Sequence, residues 1–290
     1  MQNQNNTSND DRTRLKNVDP HVVAGFGDEW SRFDQSELSQ DELHRHFEGY
    51  FSTFPWADLP PNAEGFDMGC GSGRWAFFVA PRVGRLHLID ASKDALDVAQ
   101  RKLAAATNVD FIHASVADVP LPDNSQDFGY SLGVLHHIPD TQSGLEACVG
   151  KLKPGAPFLL YLYYRFDNRP IWYRLIWQLS DILRRFISRL PHGARYAISQ
   201  AIAVLVYWPL ARAARGLEKI GVSPEALPLS AYRHSSFYTM RTDALDRFGT
   251  RLEKRFTRSE ILLMMERAGL THISFREAEP YWCASGIRKR

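Results

Sequence analysis

Cysteine is scarce. Only Cys70, Cys148 and Cys283 occur in 290 residues, far apart and odd in number. No CxxC pair and no Cys/His ligand spacing is present, so neither a disulfide framework nor a metal site is expected. A reducing, cytoplasmic compartment fits that usage best. A strong charge of one sign is also missing. Lys+Arg 35 against Asp+Glu 33 leaves +2, which gives no electrostatic case for a nucleic-acid partner. Long apolar runs are absent too. The longest, AIAVLVYWPLA (201–211), is too short for a bilayer and contains Pro209. The polar start MQNQNNTSNDDRTRLKN has no apolar h-region, so a signal peptide is not expected. Residues 1–18 are expected to be disordered, because they bury too little apolar surface to offset ordering entropy.

What is present is a globular composition, 44% hydrophobic and 23% charged. Ser39 and Glu42 make a capping box, and Leu43, Phe47, Tyr50, Phe51 and Phe54 follow at helical spacing until Pro55. Residues 19–61 therefore read as an N-terminal helical extension. Over 62–164, five short apolar runs alternate with helical stretches. The runs are GFDMG, RLHLID, DFIHAS, FGYSLGV and PFLLYLYY. Such alternation predicts a parallel sheet covered on both faces. Residues 165–250 break the rhythm. Apolar residues from Trp172 to Leu190 fall on one helical stripe, and a second helix is expected over 194–217. Over 165–219, ten Lys/Arg face three Asp/Glu, a net of +7, so this insert is both apolar and basic. Residues 251–290 return to a helix opened by the Thr257/Glu260 box and closed by Gly269, then two strands.

The chemistry concentrates in FDMGCGSGRW (66–75). Glycines at 69, 71 and 73 let the backbone turn tightly and let a ligand approach it. The helix that follows offers free N–H groups to an anionic group. Seventeen residues past Gly73, the run RLHLID ends in Asp90, a carboxylate placed to accept both hydroxyls of a ribose. A dinucleotide fingerprint would require G-x-G-x-x-G, but Arg74 stands where its third glycine belongs.

The pattern D-x-G-x-G-x-G resembles the first motif of class I S-adenosylmethionine-dependent methyltransferases, in the small-molecule, type 11-like branch. LIDAS, ADVPLPDNSQDFGYSLGVLHHIPD and KLKPGAPFLLYLYY resemble later motifs of that family. The resemblance covers about 62–164, is fainter over 257–289 and is absent from 165–250. It implies an α/β three-layer sandwich on a seven-stranded, mainly parallel, Rossmann-like sheet, with the insert as a helical substrate lid. It implies that Asp67, Gly69 and Gly71 line the methionine end of S-adenosyl-L-methionine and that Asp90 holds the ribose. Ser115 stands where the family usually places an acid that reads the adenine amine, with the Val116 N–H beside it and Asp118 as a substitute. Gly133 should pass close to the sulfonium.

An oxygen nucleophile would need a base. His137, just past the fourth strand, and His234, in SAYRHSSFYTM, are the candidates, with Tyr238 orienting a substrate hydroxyl. The expected activity is methyl transfer to a small or lipid-linked acceptor at oxygen. The insert, through Trp172, Trp177, Tyr207 and Trp208 beside its arginines, suits peripheral contact with the inner face of a membrane, and Arg184, Arg185 and Arg189 suit pairing with a phosphate. Two other classes compete. One is a non-catalytic cofactor-binding or membrane-associated interaction module on the same fold. The other is a nicotinamide-dependent oxidoreductase, which the loop spacing disfavours. Nucleic-acid methylation is disfavoured because SLGV stands where an Asp/Asn-Pro-Pro-aromatic signature would fall.

Overall fold

The computed structural model describes residues 16–290. The expected disorder of 1–18 therefore lies mostly outside the described residues. Of its last three positions, two are pinned. The Lys16 backbone N–H donates to Asp118 (3.1 Å), and the Asn17 side chain donates to the Asp140 carbonyl (2.9 Å).

The chain opens with α1 (Pro20–Arg32), which the sequence reading did not mark, and α2 (Gln40–Phe51). Asp19 caps α1 by accepting from the His21 and Val22 N–H groups, and Pro20 at the first position needs no partner. Gly25 and Gly27 weaken the helical signal. They serve packing instead: a Cβ on Gly27 would lie 2.9 Å from Ser92 Oγ. Ser39 caps α2 as expected, but Glu42 does not close the box. Its carboxylate turns inward and accepts from the Ser236 N–H and the Thr239 hydroxyl.

The α/β core follows: β1 (Glu64–Met68), α3 (Ala76–Val79), β2 (Arg85–Asp90), α4 (Lys93–Lys102), β3 (Val109–His113), β4 (Phe128–Leu132), α5 (Thr141–Lys151) and β5 (Pro157–Tyr161). Each strand falls inside the apolar run that announced it, except that β1 and β3 start one residue early. Then come α6 (Ile171–Ile187), α7 (His192–Ile202), α8 (Trp208–Lys219), α9 (Phe237–Gly249), α10 (Arg258–Arg267), β6 (Leu270–Phe275) and β7 (Ala284–Arg288). The seven strands form one sheet in the order β3-β2-β1-β4-β5-β7-β6, parallel except where β7 pairs with β5 and β6. Alternate residues serve opposite layers. Leu86 and Leu88 pack with α2, α3 and α4, whereas Ile89 packs with α5 and α10.

The strand order reverses direction between β1 and β4. In an open α/β sheet that switch leaves a crevice at the strands' carboxyl ends. The glycine loop leaves β1 there, and Gly133 leaves β4 beside it.

The insert departs from expectation in one respect. The apolar stripe of α6 faces outward. Tyr173, Trp177, Ser180, Arg184 and Ile187 form the inner face, and Arg184 is buried. Its Nε donates to Asp181 Oδ1 (2.7 Å) and its Nη1 to the Thr250 carbonyl (2.8 Å), so Arg184 is a structural brace and not a free phosphate ligand. Arg185 also donates to Asp181, at 2.9 Å. Arg184→Met leaves Asp181 its Arg185 partner but orphans the Thr250 carbonyl. The expected loss is about 1.5–3 kcal/mol, the worth of a charged hydrogen bond. It should appear as a lower urea midpoint at unchanged slope. An unchanged midpoint would show that the brace contributes nothing.

Candidate active site

A cavity of about 780 Å³ opens at the switch point. Its floor is the glycine loop. Gly69, Gly71 and Gly73 have φ of +80°, +53° and +72°, the left-handed region that L side chains rarely adopt. A Cβ on Gly69 would also strike Val134 at 2.3 Å. The Gly69 and Cys70 N–H groups donate to the Ile89 carbonyl (2.7 and 3.1 Å), which ties the loop to the end of β2. Gly133, at φ +80°, would place a Cβ within 4 Å of no atom, so the backbone there faces open space.

Asp90 closes β2 at the cavity wall. Its Oδ2 accepts from the Gly71 N–H (2.9 Å) and its Oδ1 from the Ser92 N–H (2.8 Å). Each oxygen keeps a second lone pair for an incoming hydroxyl. Burial raises the carboxyl's pKa, while these backbone donors lower it. Val116 lines the cavity beside Ala114.

Three residues expected from sequence at the cofactor lie off the cavity wall. Ser115 is buried behind the wall and donates to Asp118 Oδ2 (3.3 Å). Asp118 is held by Lys16 and does not line the cavity. The adenine side of the wall is therefore formed by Ala114 and Val116. Asp67 lies beneath the loop and not on the cavity wall. Burial pushes its carboxyl up to about 8, and Oδ2 has no hydrogen-bond partner among the described residues. Arg74 enters the cavity from the other side, with its guanidinium 4.3 Å from the Trp75 ring centroid. The sequence reading passed over it, although a cation directly after a glycine loop is a signal for a carboxylate. Together these groups fit S-adenosylmethionine: open backbone at Gly133, spare lone pairs on Asp90 and a basic side chain, Arg74, for its carboxylate.

The other half of the cavity holds a second set of buried titratable groups. His137 is buried at its wall, and its Nδ1–H donates to the Leu252 carbonyl (2.7 Å). A carbonyl only accepts, so the proton sits on Nδ1 and Nε2 carries the lone pair. Burial lowers the imidazole to about 4, so it is neutral at physiological pH. Nε2 stands 3.9 Å from Asp246 Oδ1, and among the described residues neither atom has a hydrogen-bond partner. The Tyr163 hydroxyl donates to the other oxygen of Asp246. Burial, reinforced by Glu253, pushes Asp246 up to about 7. Burial likewise raises Glu29 and Asp243, which line the same cavity. Two unpartnered acceptors facing each other across a buried gap are arranged to receive one hydroxyl.

The two remaining candidates do not reach this site. His234 is half-exposed, pairs with Glu218 Oε2 at 2.8 Å and does not line the cavity. Tyr238 is buried, and its oxygen accepts from the Gln35 N–H (2.9 Å), bracing α9 against the loop after α1. Asp246 is the candidate that sequence reasoning missed. Nothing in RTDALDRFG separates it from any exposed helical aspartate.

Residues 66–160 match a family described as a methyltransferase domain. A demethylmenaquinone methyltransferase of Bacillus licheniformis is 26% identical over 171 residues, covering 52% of this chain and 73% of that one. A 2-phytyl-1,4-naphtoquinone methyltransferase of Trichormus variabilis is 28% identical, covering 49% and 65%. A ubiquinone biosynthesis O-methyltransferase of Vibrio atlanticus is 28% identical, covering 49% and 62%. The match thus spans less than two thirds of the last two. Among solved structures, a possible exported protein of Bordetella parapertussis shares the fold at a TM-score of 0.50 and 16% identity, covering 89% of this chain and 72% of that one. The matched domain coincides with the strands and loops that build the cofactor half of the cavity, and the chain carries a methyltransferase domain of the class I, S-adenosylmethionine-dependent kind over those residues.

Proposed function

We propose that this enzyme methylates a hydroxyl on an apolar, ring-bearing acceptor. The observation that carries the reading is the His137–Asp246 pair, two unpartnered proton acceptors 3.9 Å apart in the cavity that also holds the glycine loop. The walls around the pair are largely aromatic, with Tyr50, Tyr161, Tyr163, Trp177 and Tyr207 among them. Similarity to quinone-pathway methyltransferases supports an acceptor of that chemical kind.

When bound, S-adenosylmethionine supplies a methyl group already activated by its sulfonium. The protein's work is then alignment, water exclusion and removal of the acceptor's proton. Holding two reactants in line contributes about 7–11 kcal/mol. The acceptor hydroxyl donates to Asp246 Oδ1 or His137 Nε2. Asp246, pushed up to about 7, is the stronger acceptor of the two and takes the acceptor's proton. Tyr163 and the Leu252 carbonyl fix the two groups in place.

The base works only when ionised. Its pKa lies near 7, so it is mostly protonated below that and mostly ionised above it. Accordingly kcat/KM should rise with pH through about 7 and level off above. His137, neutral across this range, should add no second limb. A methyl-transfer assay across this interval tests the reading. A flat profile would remove Asp246 from the role of base.

A further inference from the structure

The helices of the insert leave many large apolar residues exposed and bury a few polar ones. On α6 the buried Arg184 and half-buried Tyr173, Trp177 and Ser180 face inward, while Leu179 and Phe186 are 67% and 66% exposed. Helix α7, a π turn over 203–207 and α8 run as one helix, His192–Lys219. Its inner residues Arg195, Ser199, Ala203, Tyr207 and Ala211 recur every four positions, and the wider π turn keeps them in phase against α9. Its outer face carries Val204, Leu205 and Val206, with Leu205 73% exposed. By length and composition alone this helix could cross a membrane. Ala203, Tyr207 and Ala211 are nevertheless packed against Met240, Ala244 and Phe248 of α9, which places the helix in the folded body with one side free.

The two free faces meet at the active site. Ile176 and Leu183 of α6, and Val206 from the π turn, are each about half exposed, and each also lines the catalytic cavity. The cavity mouth therefore opens within the exposed apolar surface. Basic groups flank that surface. Residues 171–222 contain eight Lys/Arg and two Asp/Glu. Both carboxylates are already paired, Asp181 with Arg184 and Arg185, and Glu218 with Arg233 and His234. Arg174, Arg189, Arg215 and Lys219 are exposed, with no carboxylate in ion-pair reach among the described residues.

We infer that this face docks on an anionic phospholipid bilayer, with α6 and the 203–209 segment at the headgroup–acyl boundary and the cavity mouth open to the acyl layer. An apolar side with a cationic rim is what such an interface selects. A water-filled approach would instead leave the mouth's leucine, isoleucine and valine side chains unsatisfied by any partner. The inference deepens the function proposed above: an apolar acceptor would slide from the bilayer to His137 and Asp246 without crossing water.

Vesicle flotation tests it, with no acceptor and no turnover required. The probes are vesicles of phosphatidylcholine alone and of an equal mixture of phosphatidylcholine and phosphatidylglycerol. Wild-type protein should float with the mixed vesicles and bind the neutral ones about tenfold or more weakly, since each lysine or arginine near an anionic surface adds to the attraction. Leu179→Glu with Leu205→Glu should lose flotation while S-adenosylhomocysteine still binds it as it binds the wild type, because neither residue lines the cavity. Asp246→Asn should float like the wild type. Equal flotation of wild type and double variant would overturn the inference, as would no flotation at all. So would a wild-type dimer that the double variant dissociates, for then a second copy covers the face. Loss of activity in Asp246→Asn with flotation intact would uphold both readings. Methyl transfer to a detergent-dissolved acceptor without flotation would remove only the docking.

Discussion

Asp246→Asn should lower kcat about 10²–10⁴-fold, the usual contribution of a positioned base. The substitution keeps shape and volume, and the amide oxygen can still accept from the Tyr163 hydroxyl. What it removes is an oxygen able to take a proton. The rise of kcat/KM through about 7 should vanish with it. Affinity for S-adenosylhomocysteine should stay unchanged, because Asp246 lies in the acceptor half of the cavity and Asp90 in the other. A kcat within threefold of the wild type would transfer the proton to His137 or to water. A variant that also lost cofactor binding would indicate a collapsed cavity, which melting in the presence of S-adenosylhomocysteine would reveal.

Asp90→Ala should weaken cofactor binding about 10–100-fold, the equivalent of roughly one charge-assisted hydrogen bond. Both oxygens already accept a backbone N–H, and each retains a lone pair directed at the cavity. Alanine removes the ribose acceptors and also frees the Gly71 N–H that the carboxylate holds. Kinetically, KM for S-adenosylmethionine should rise far more than kcat falls, because the ribose is remote from the reacting carbon. Calorimetric titration with S-adenosylhomocysteine reads the loss directly. Unchanged affinity in a folded variant would show that another group holds the sugar.

The contrast between these two residues explains what the sequence made legible. Asp90 and the glycine loop lie within one β-turn-α-β stretch, where spacing alone sets the geometry. Local chemistry sufficed there, and the sheet followed from apolar runs of strand length. Asp246 is different. It meets His137 only because α9 packs over the carboxyl edge, and a contact between residues more than a hundred positions apart leaves no local trace. The stripe on α6 was equally ambiguous in direction. A periodicity of 3.6 says that one face is apolar but not which side is water. Leu179 and Phe186 read the same whether buried or exposed; only Arg184, fixed inward by Asp181 and the Thr250 carbonyl, reveals the orientation. His234 and Tyr238 failed as candidates for a related reason. Their residue types suited the chemistry, but Glu218 and the Gln35 backbone already occupy their polar atoms. Ser115 pointed away from the cavity toward Asp118, so the backbone beside it, not its hydroxyl, shapes the wall.

The most direct measurement follows the methyl group. Wild-type protein is incubated with methyl-labelled S-adenosylmethionine and an organic-solvent extract of membranes, and the label is then partitioned between solvent and water. Label should appear in the organic phase, on a product heavier by one methylene, with little in the Asp246→Asn reaction. Label confined to water-soluble products would contradict an apolar acceptor reached through the exposed face of the insert.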